Sequence, residues 1–235
     1  MTKSILLKRK GEIIREKNKI YAFRYHTIEE YLEYVKKDGL GIQFVKEQTP
    51  ELCLEAVKAS PEVIDLVREQ TQEMCLLVVK YDPEYLEYVK EQTEEICLEA
   101  VKRNGLMLSI VKEQTEEICL EAVKQNGEAL KYVRKQTPKI CLEAVKNGAY
   151  LAFVKDQTPE ICLEAVKRDG WVLPIVKEQT EEICLAAIKN DPEVFKFINI
   201  ISLRILEEIK KYSPKYEFEF DIIKEYEKAC APLRD

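Results

Sequence analysis

The chain is poor in the residues that catalysis and cofactor binding usually need. It has one histidine and one tryptophan in 235 residues. A lone His26 leaves no His-x-x-x-His zinc pair and no Ser/His/Asp set, and no Gly-rich phosphate loop follows a strand. Paired acids do occur, but at helix starts, where capping explains them. No enzyme, cofactor or metal is expected. Seven Gly and nine Pro are few for so many turns, which predicts mostly regular structure. No apolar run is long enough to span a bilayer. Met1–Lys8 offers three consecutive apolar residues before Lys8-Arg9-Lys10, not the apolar core of a secretory signal. The expectation is a cytoplasmic protein that avoids membranes.

What the chain does have is repetition. Gln-Thr recurs at 48, 70, 92, 114, 136, 157 and 179, and a Cys follows each Thr by four residues: Cys53, Cys75, Cys97, Cys119, Cys141, Cys162 and Cys184. The period is 22, with one step of 21. A degenerate copy starts at Thr27 with Tyr31 in the cysteine slot, and another near Ile201 with Ile205 in that slot. Each unit divides into two helices of about ten residues, too short to stand alone in water. The first opens on the Thr N-cap, with Pro50, Pro138 or Pro159 at the first helical position. The second opens on Ser60-Pro61, Asp82-Pro83 or Asp191-Pro192, or on Gly105, Gly127, Gly148 or Gly170 in the Pro slot. Helix one is apolar at offsets 3, 4, 7 and 8 from the Thr, as in Ile96, Cys97, Ala100 and Val101. Helix two repeats two deep positions, typified by Leu86 and Val89. The expected fold is an all-α, right-handed-type α-solenoid of tandem two-helix repeats. Residues 1–26 form a basic cap, 27–200 eight repeats, and 201–235 a degenerate repeat with a capping helix from Asp221 through Cys230. Within the cap, Ile13–Arg15 and Ile20–Tyr25 read as a short β-hairpin.

The unit Gln-Thr-Pro-Glu-Ile-Cys-Leu-Glu-Ala-Val-Lys at 157–167, followed by Asp-Gly and a short apolar helix, resembles the repeat family known as domain of unknown function 4116. The resemblance covers roughly residues 27–200. It implies a tandem helical array of the kind found in bacterial and viral proteins, and it brings no catalytic residues with it.

Several rows of residues invite a functional reading. Seven cysteines in one slot, with no Cys-x-x-Cys pair, read as small buried apolar residues in a reducing compartment. Cys230 lies outside that ladder. The glutamines of the Gln-Thr pairs read as turn residues that bond leftover helix-end groups. Lys46, Arg68, Lys90, Lys112, Arg134, Lys155 and Lys177 form a basic row that would carry nucleic-acid contacts. Against that stand the acids that follow most of them and the charge balance, +6 over residues 1–26 and −12 over the rest. The positions that vary are two outward slots of helix two. They turn apolar toward the C-terminus, so Leu106, Ala149, Tyr150, Ala152, Trp171 and Pro174 are the candidate partner-binding residues. The leading expectation is a protein-interaction scaffold. The alternatives are a viral- or mobile-element-type inhibitor clamping a host defence nuclease, and an RNA or single-stranded nucleic-acid binder.

Overall fold

A computed structural model describes residues 12–16, 19–23 and 27–212, the first two stretches as backbone only. Glu12–Glu16 (β1) and Lys19–Phe23 (β2) pair antiparallel, Glu12 opposite Phe23 and Glu16 opposite Lys19. The expected role of this ribbon as a cap depends on side chains outside the described residues, as do the basic residues 1–11 and the helix expected over 221–230.

From Thr27 onward the chain is a run of α-helix and 3₁₀-helix pairs. They are α1 Ile28–Lys37 with η1 Gly39–Phe44, α2 Pro50–Ala59 with η2 Pro61–Leu66, and α3 Gln72–Tyr81 with η3 Pro83–Tyr88. After them come α4 Glu94–Arg103 with η4 Gly105–Ile110, α5 Glu116–Gln125 with η5 Gly127–Tyr132, and α6 Pro138–Lys146 with η6 Leu151–Phe153. The last are α7 Pro159–Arg168 with η7 Gly170–Ile175, α8 Glu181–Asn190 with η8 Pro192–Phe197, and α9 Leu203–Tyr212. The chain divides within α4 into two compact units, residues 1–100 and 101–235. In the first unit α1, α2 and α3 pack in sequence and η1, η2 and η3 lie side by side; in the second α5 to α9 pack in sequence, with η4 beside η5 and η6, η7 and η8 side by side. The fold is an all-α tandem-repeat solenoid.

Local chemistry explains each boundary. The Thr hydroxyl accepts from the amide three residues on at 3.3–3.5 Å, in α2 from Leu52 and in α7 from Ile161. At Thr27 the cap is reciprocal, because the Glu30 carboxylate also accepts from the Thr27 amide. The helices α2 to α8 then bury offsets 3, 4, 7 and 8 from the Thr, for example Ile118, Cys119, Ala122 and Val123. A fully buried Ile or Leu contributes about 1.5–3 kcal/mol, so stacking, not propensity, holds these short helices.

The second element differs from expectation. It is not a ten-residue α-helix but a 3₁₀ segment of six residues in seven of the eight pairs and of three in η6. Its buried positions are three apart, as in Gly105, Leu108 and Val111 or Gly170, Leu173 and Val176. Residues three apart align on one face only at three residues per turn. A cap residue also starts most of these turns tightly: the Asp82 carboxylate accepts from the Glu84 amide at 2.9 Å, and Asp169 from Trp171 at 2.9 Å. The glycine that heads many of these segments admits a close approach. A Cβ on Gly105 would stand 2.3 Å from the Ala122 carbonyl oxygen of the next α-helix.

Two further expectations are corrected. The last repeat is shifted by one residue, because Ser202 and not Ile201 caps α9, accepting from the Ile205 amide at 3.3 Å. An isoleucine has no side-chain acceptor. Leu206 therefore holds the cysteine slot and Ile205 the slot before it, both buried. In the 21-residue repeat, α6 ends in a Schellman turn. Gly148 takes φ +100, the Ala149 amide donates to Ala144 O at 2.9 Å, and the Gly148 amide donates to Val145 O at 3.2 Å. This turn carries Ala149 into the core.

Candidate partner-binding face

Three residues per turn divides each 3₁₀ segment into three rows. One is the core row just described. The second is the outward row, which includes Glu62 and Asp65 in η2, and Trp171 and Pro174 in η7. The third row is apolar in almost every copy: Val63 and Leu66, Tyr85 and Tyr88, Ala129 and Tyr132, Tyr150 and Phe153, Val172 and Ile175, Val194 and Phe197. Its second member is a large apolar side chain, left in solvent in five copies. Tyr88, Tyr132, Phe153, Ile175 and Phe197 are 36–47% exposed. Sequence reasoning missed this row, because a slot that is apolar in every repeat looks like core. The available signal was a second series at spacing three beside the first.

The row is held from below by the glutamine ladder. Gln70 Nε2 donates to Ile64 O of its own repeat and to Tyr88 O of the next, both at 2.9 Å, while its Oε1 accepts from the Lys90 amide at 2.9 Å. Gln48, Gln114, Gln136, Gln157 and Gln179 make the same forward pair of bonds, reaching Leu66, Tyr132, Phe153, Ile175 and Phe197 carbonyls. These amides are structural, as expected. The thiols below them donate weakly to the same Oε1 atoms at 3.4–4.0 Å. The seven ladder cysteines are buried and unbridged, so they carry a donor role beyond that of a small apolar filler. Burial pushes the thiols of Cys53, Cys75, Cys119, Cys141, Cys162 and Cys184 up, the last from 9.0 to about 11. Cys230 lies outside the described residues.

Between η7 and η8 the outward row of the first faces the third row of the second. Trp171 of η7 meets Phe197 of η8 edge to face, centroids 5.8 Å apart. The Trp171 indole donates to Asp191 Oδ2 at 2.7 Å, and Lys196 Nζ sits 4.8 Å over the indole and 5.4 Å over Phe197. The equivalent furrow lies between η2 and η3, which pack together, with Glu62 and Asp65 on the outward row of η2 and Tyr85 and Tyr88 on the third row of η3. Burial raises the Tyr85 hydroxyl above its ordinary pKa, and the charge of Glu62 adds to that, followed by Asp82 and the neighbouring tyrosines. Tyr85 lies 6.4 Å from Tyr81 and 6.2 Å from Tyr88 between ring centroids.

Among the residues predicted to bind a partner, Trp171, Pro174, Ala152 and Tyr150 are exposed, and Tyr150 stacks edge-on against Phe153 at 6.1 Å. Leu106 is half-buried. Ala149 is 1% exposed and leaves the set, for the reason the Gly148 turn supplies. The basic row has structural work. Arg68 donates to Lys46 O at 2.8 Å, and Lys90 to Val67 O and Arg68 O. Arg134 donates to Lys112 O and Val111 O, and Lys177 to Lys155 O. These side chains cover the carbonyl ends of the preceding segment, where a cation is favoured. Among the described residues no helix is long and apolar enough to cross a membrane.

Comparison with known protein families places this pattern. A family model described as Domain of unknown function (DUF4116) matches residues 71–114, 93–137, 115–157 and 158–204, each match spanning about two repeats. The chain belongs to the DUF4116 family. Together the matches run over more than half of its length. Curated proteins and solved structures gave no match.

Proposed function

We propose that this DUF4116 chain is a non-enzymatic protein-interaction repeat, whose contact surface is the 3₁₀ side of the stack. The observation that carries the reading is the third row. Five of the eight 3₁₀ segments leave one large apolar side chain in solvent, while the ladder glutamines, their thiols and most of the basic-row side chains are engaged in holding repeats together. Such a periodic apolar surface, with variable polar residues beside it, suits an extended protein partner. The Trp171 and Phe197 pair supplies a rigid aromatic anchor of the kind that dominates interfaces. Buried, unbridged thiols suit a reducing compartment such as the cytoplasm. The engagement of the basic row with backbone carbonyls favours a protein partner over a nucleic acid.

The test is affinity purification of the wild-type chain and of a Trp171→Ala/Ile175→Ser variant, with and without nuclease. Circular dichroism verifies that the variant folds. Proteins retained by the wild type should persist through nuclease and be lost from the variant. Loss on nuclease treatment alone, or retention by the variant, would overturn the reading.

A further inference from the structure

Lysine at the second outward slot is used twice in the chain in one way. Lys131 Nζ lies 5.0 Å over the ring of Tyr132, and Lys196 Nζ covers both Phe197 and Trp171. The chain thus places its own ammonium on the exposed aromatic of the third row. In η3 the same slot holds Glu87, beside an equally exposed Tyr88. Glu84 precedes it on the outward row, and the neighbouring η2 carries Glu62 and Asp65 on its own outward row, the Glu62 charge acting at Tyr85. All four carboxylates are exposed and make no ion pair among the described residues. No ammonium or guanidinium among those residues lies over Tyr81, Tyr85 or Tyr88. Tyr81, 71% exposed, extends the aromatic surface at the mouth of the furrow.

We infer that the furrow between η2 and η3 binds a lysine- or arginine-bearing extended segment of a partner protein, whose cations take the place that Lys196 fills between η7 and η8. A cation over a phenol face, with a carboxylate beside it, gains both ring and charge-assisted hydrogen-bond stabilisation. Four carboxylates spread over two segments call for several spaced cations, which a chain supplies and a single amine does not. Six residues of 3₁₀-helix rise about 12 Å, the length of three to four extended residues. This inference rests on the interaction reading above and adds the chemistry of the partner.

The probe is a fluorescein-labelled eight-residue peptide of alternating arginine and glycine, titrated against the full chain by anisotropy at low salt. Glu62→Gln/Glu87→Gln and Tyr85→Ala/Tyr88→Ala should each weaken binding by about tenfold. Glu51→Gln/Glu73→Gln, which removes the same charge from the α-helix side, should change it less than about twofold. Tyr88→Phe keeps the ring and should keep the affinity, which guards against misreading a folding defect. Three results would overturn the inference: no binding, equal weakening by the two glutamate pairs, or binding tightened about tenfold when Lys3, Lys8, Arg9 and Lys10 are changed to Gln. The last would make the chain's own head the occupant. Failure here with intact capture by the Trp171 surface would leave the general interaction reading standing.

Discussion

The η7–η8 and η2–η3 furrows share one scaffold and opposite contents. Both are walled by an outward row and an apolar row, and both are pinned by a glutamine that grips the carbonyl of the exposed aromatic, Phe197 in one and Tyr88 in the other. In the first, Asp191 clips the indole and Lys196 covers it, so the aromatic surface is already partnered from within. In the second, acids surround the rings. The comparison separates what the repeat must keep from what it is free to vary. Backbone joints are identical, and the character of the furrow is set by a few side chains that touch no joint.

If the scaffold is truly shared, removing either clamp should cost alike. Gln70→Ala and Gln179→Ala should each destabilise by about 2–3 kcal/mol in urea unfolding, since each leaves the Tyr88 or Phe197 carbonyl and one amide without a partner and takes the second bond from the Ile64 or Leu173 carbonyl. A large inequality would break the equivalence of the two furrows. The layer below gives a pH-dependent effect. Burial lifts the Cys184 thiol to about 11, above the ordinary 9.0 that it recovers on unfolding. Its contribution to stability is fully present below about pH 9 and lost as pH rises through about 11. Wild type should therefore lose more stability than Cys184→Ala between those values, measured as the shift in urea midpoint. Parallel curves would contradict it. The smallest effect comes from exchanging contents. Glu87→Lys should place an ammonium on Tyr88 and stabilise by about 0.5–1 kcal/mol, while Lys196→Glu should destabilise by a similar amount. Trp171, the single tryptophan, would report the second change as altered emission.

Much of this was legible before any coordinates. The Thr caps, the cysteine slot and the Leu and Val core positions each follow from one residue type recurring at one spacing, and each sits where expected. The 3₁₀ character is less legible although its period stands in Gly105, Leu108 and Val111, because apolar spacings of three and four both read as helical. The same ambiguity hides the third row, and with it the Tyr85 and Tyr88 furrow. Ala149 reads as outward because a one-residue deletion does not show which residue the chain folds inward, and the positive φ of Gly148 decides it. Ile201 reads as the start of the last repeat from apolar pattern alone, where a hydroxyl at Ser202 is the physical requirement.

The glutamine clamp speaks only to main-chain atoms of its successor, and those are the same whatever amino acid follows. It closes across the short repeat too, where Gln136 reaches Phe153 and Lys155 one position nearer than elsewhere. A gene encoding such joints gains or sheds a 22-residue module by simple duplication or loss, with no compensating change at the seam. New furrows then arise ready-made, each open to its own set of side chains.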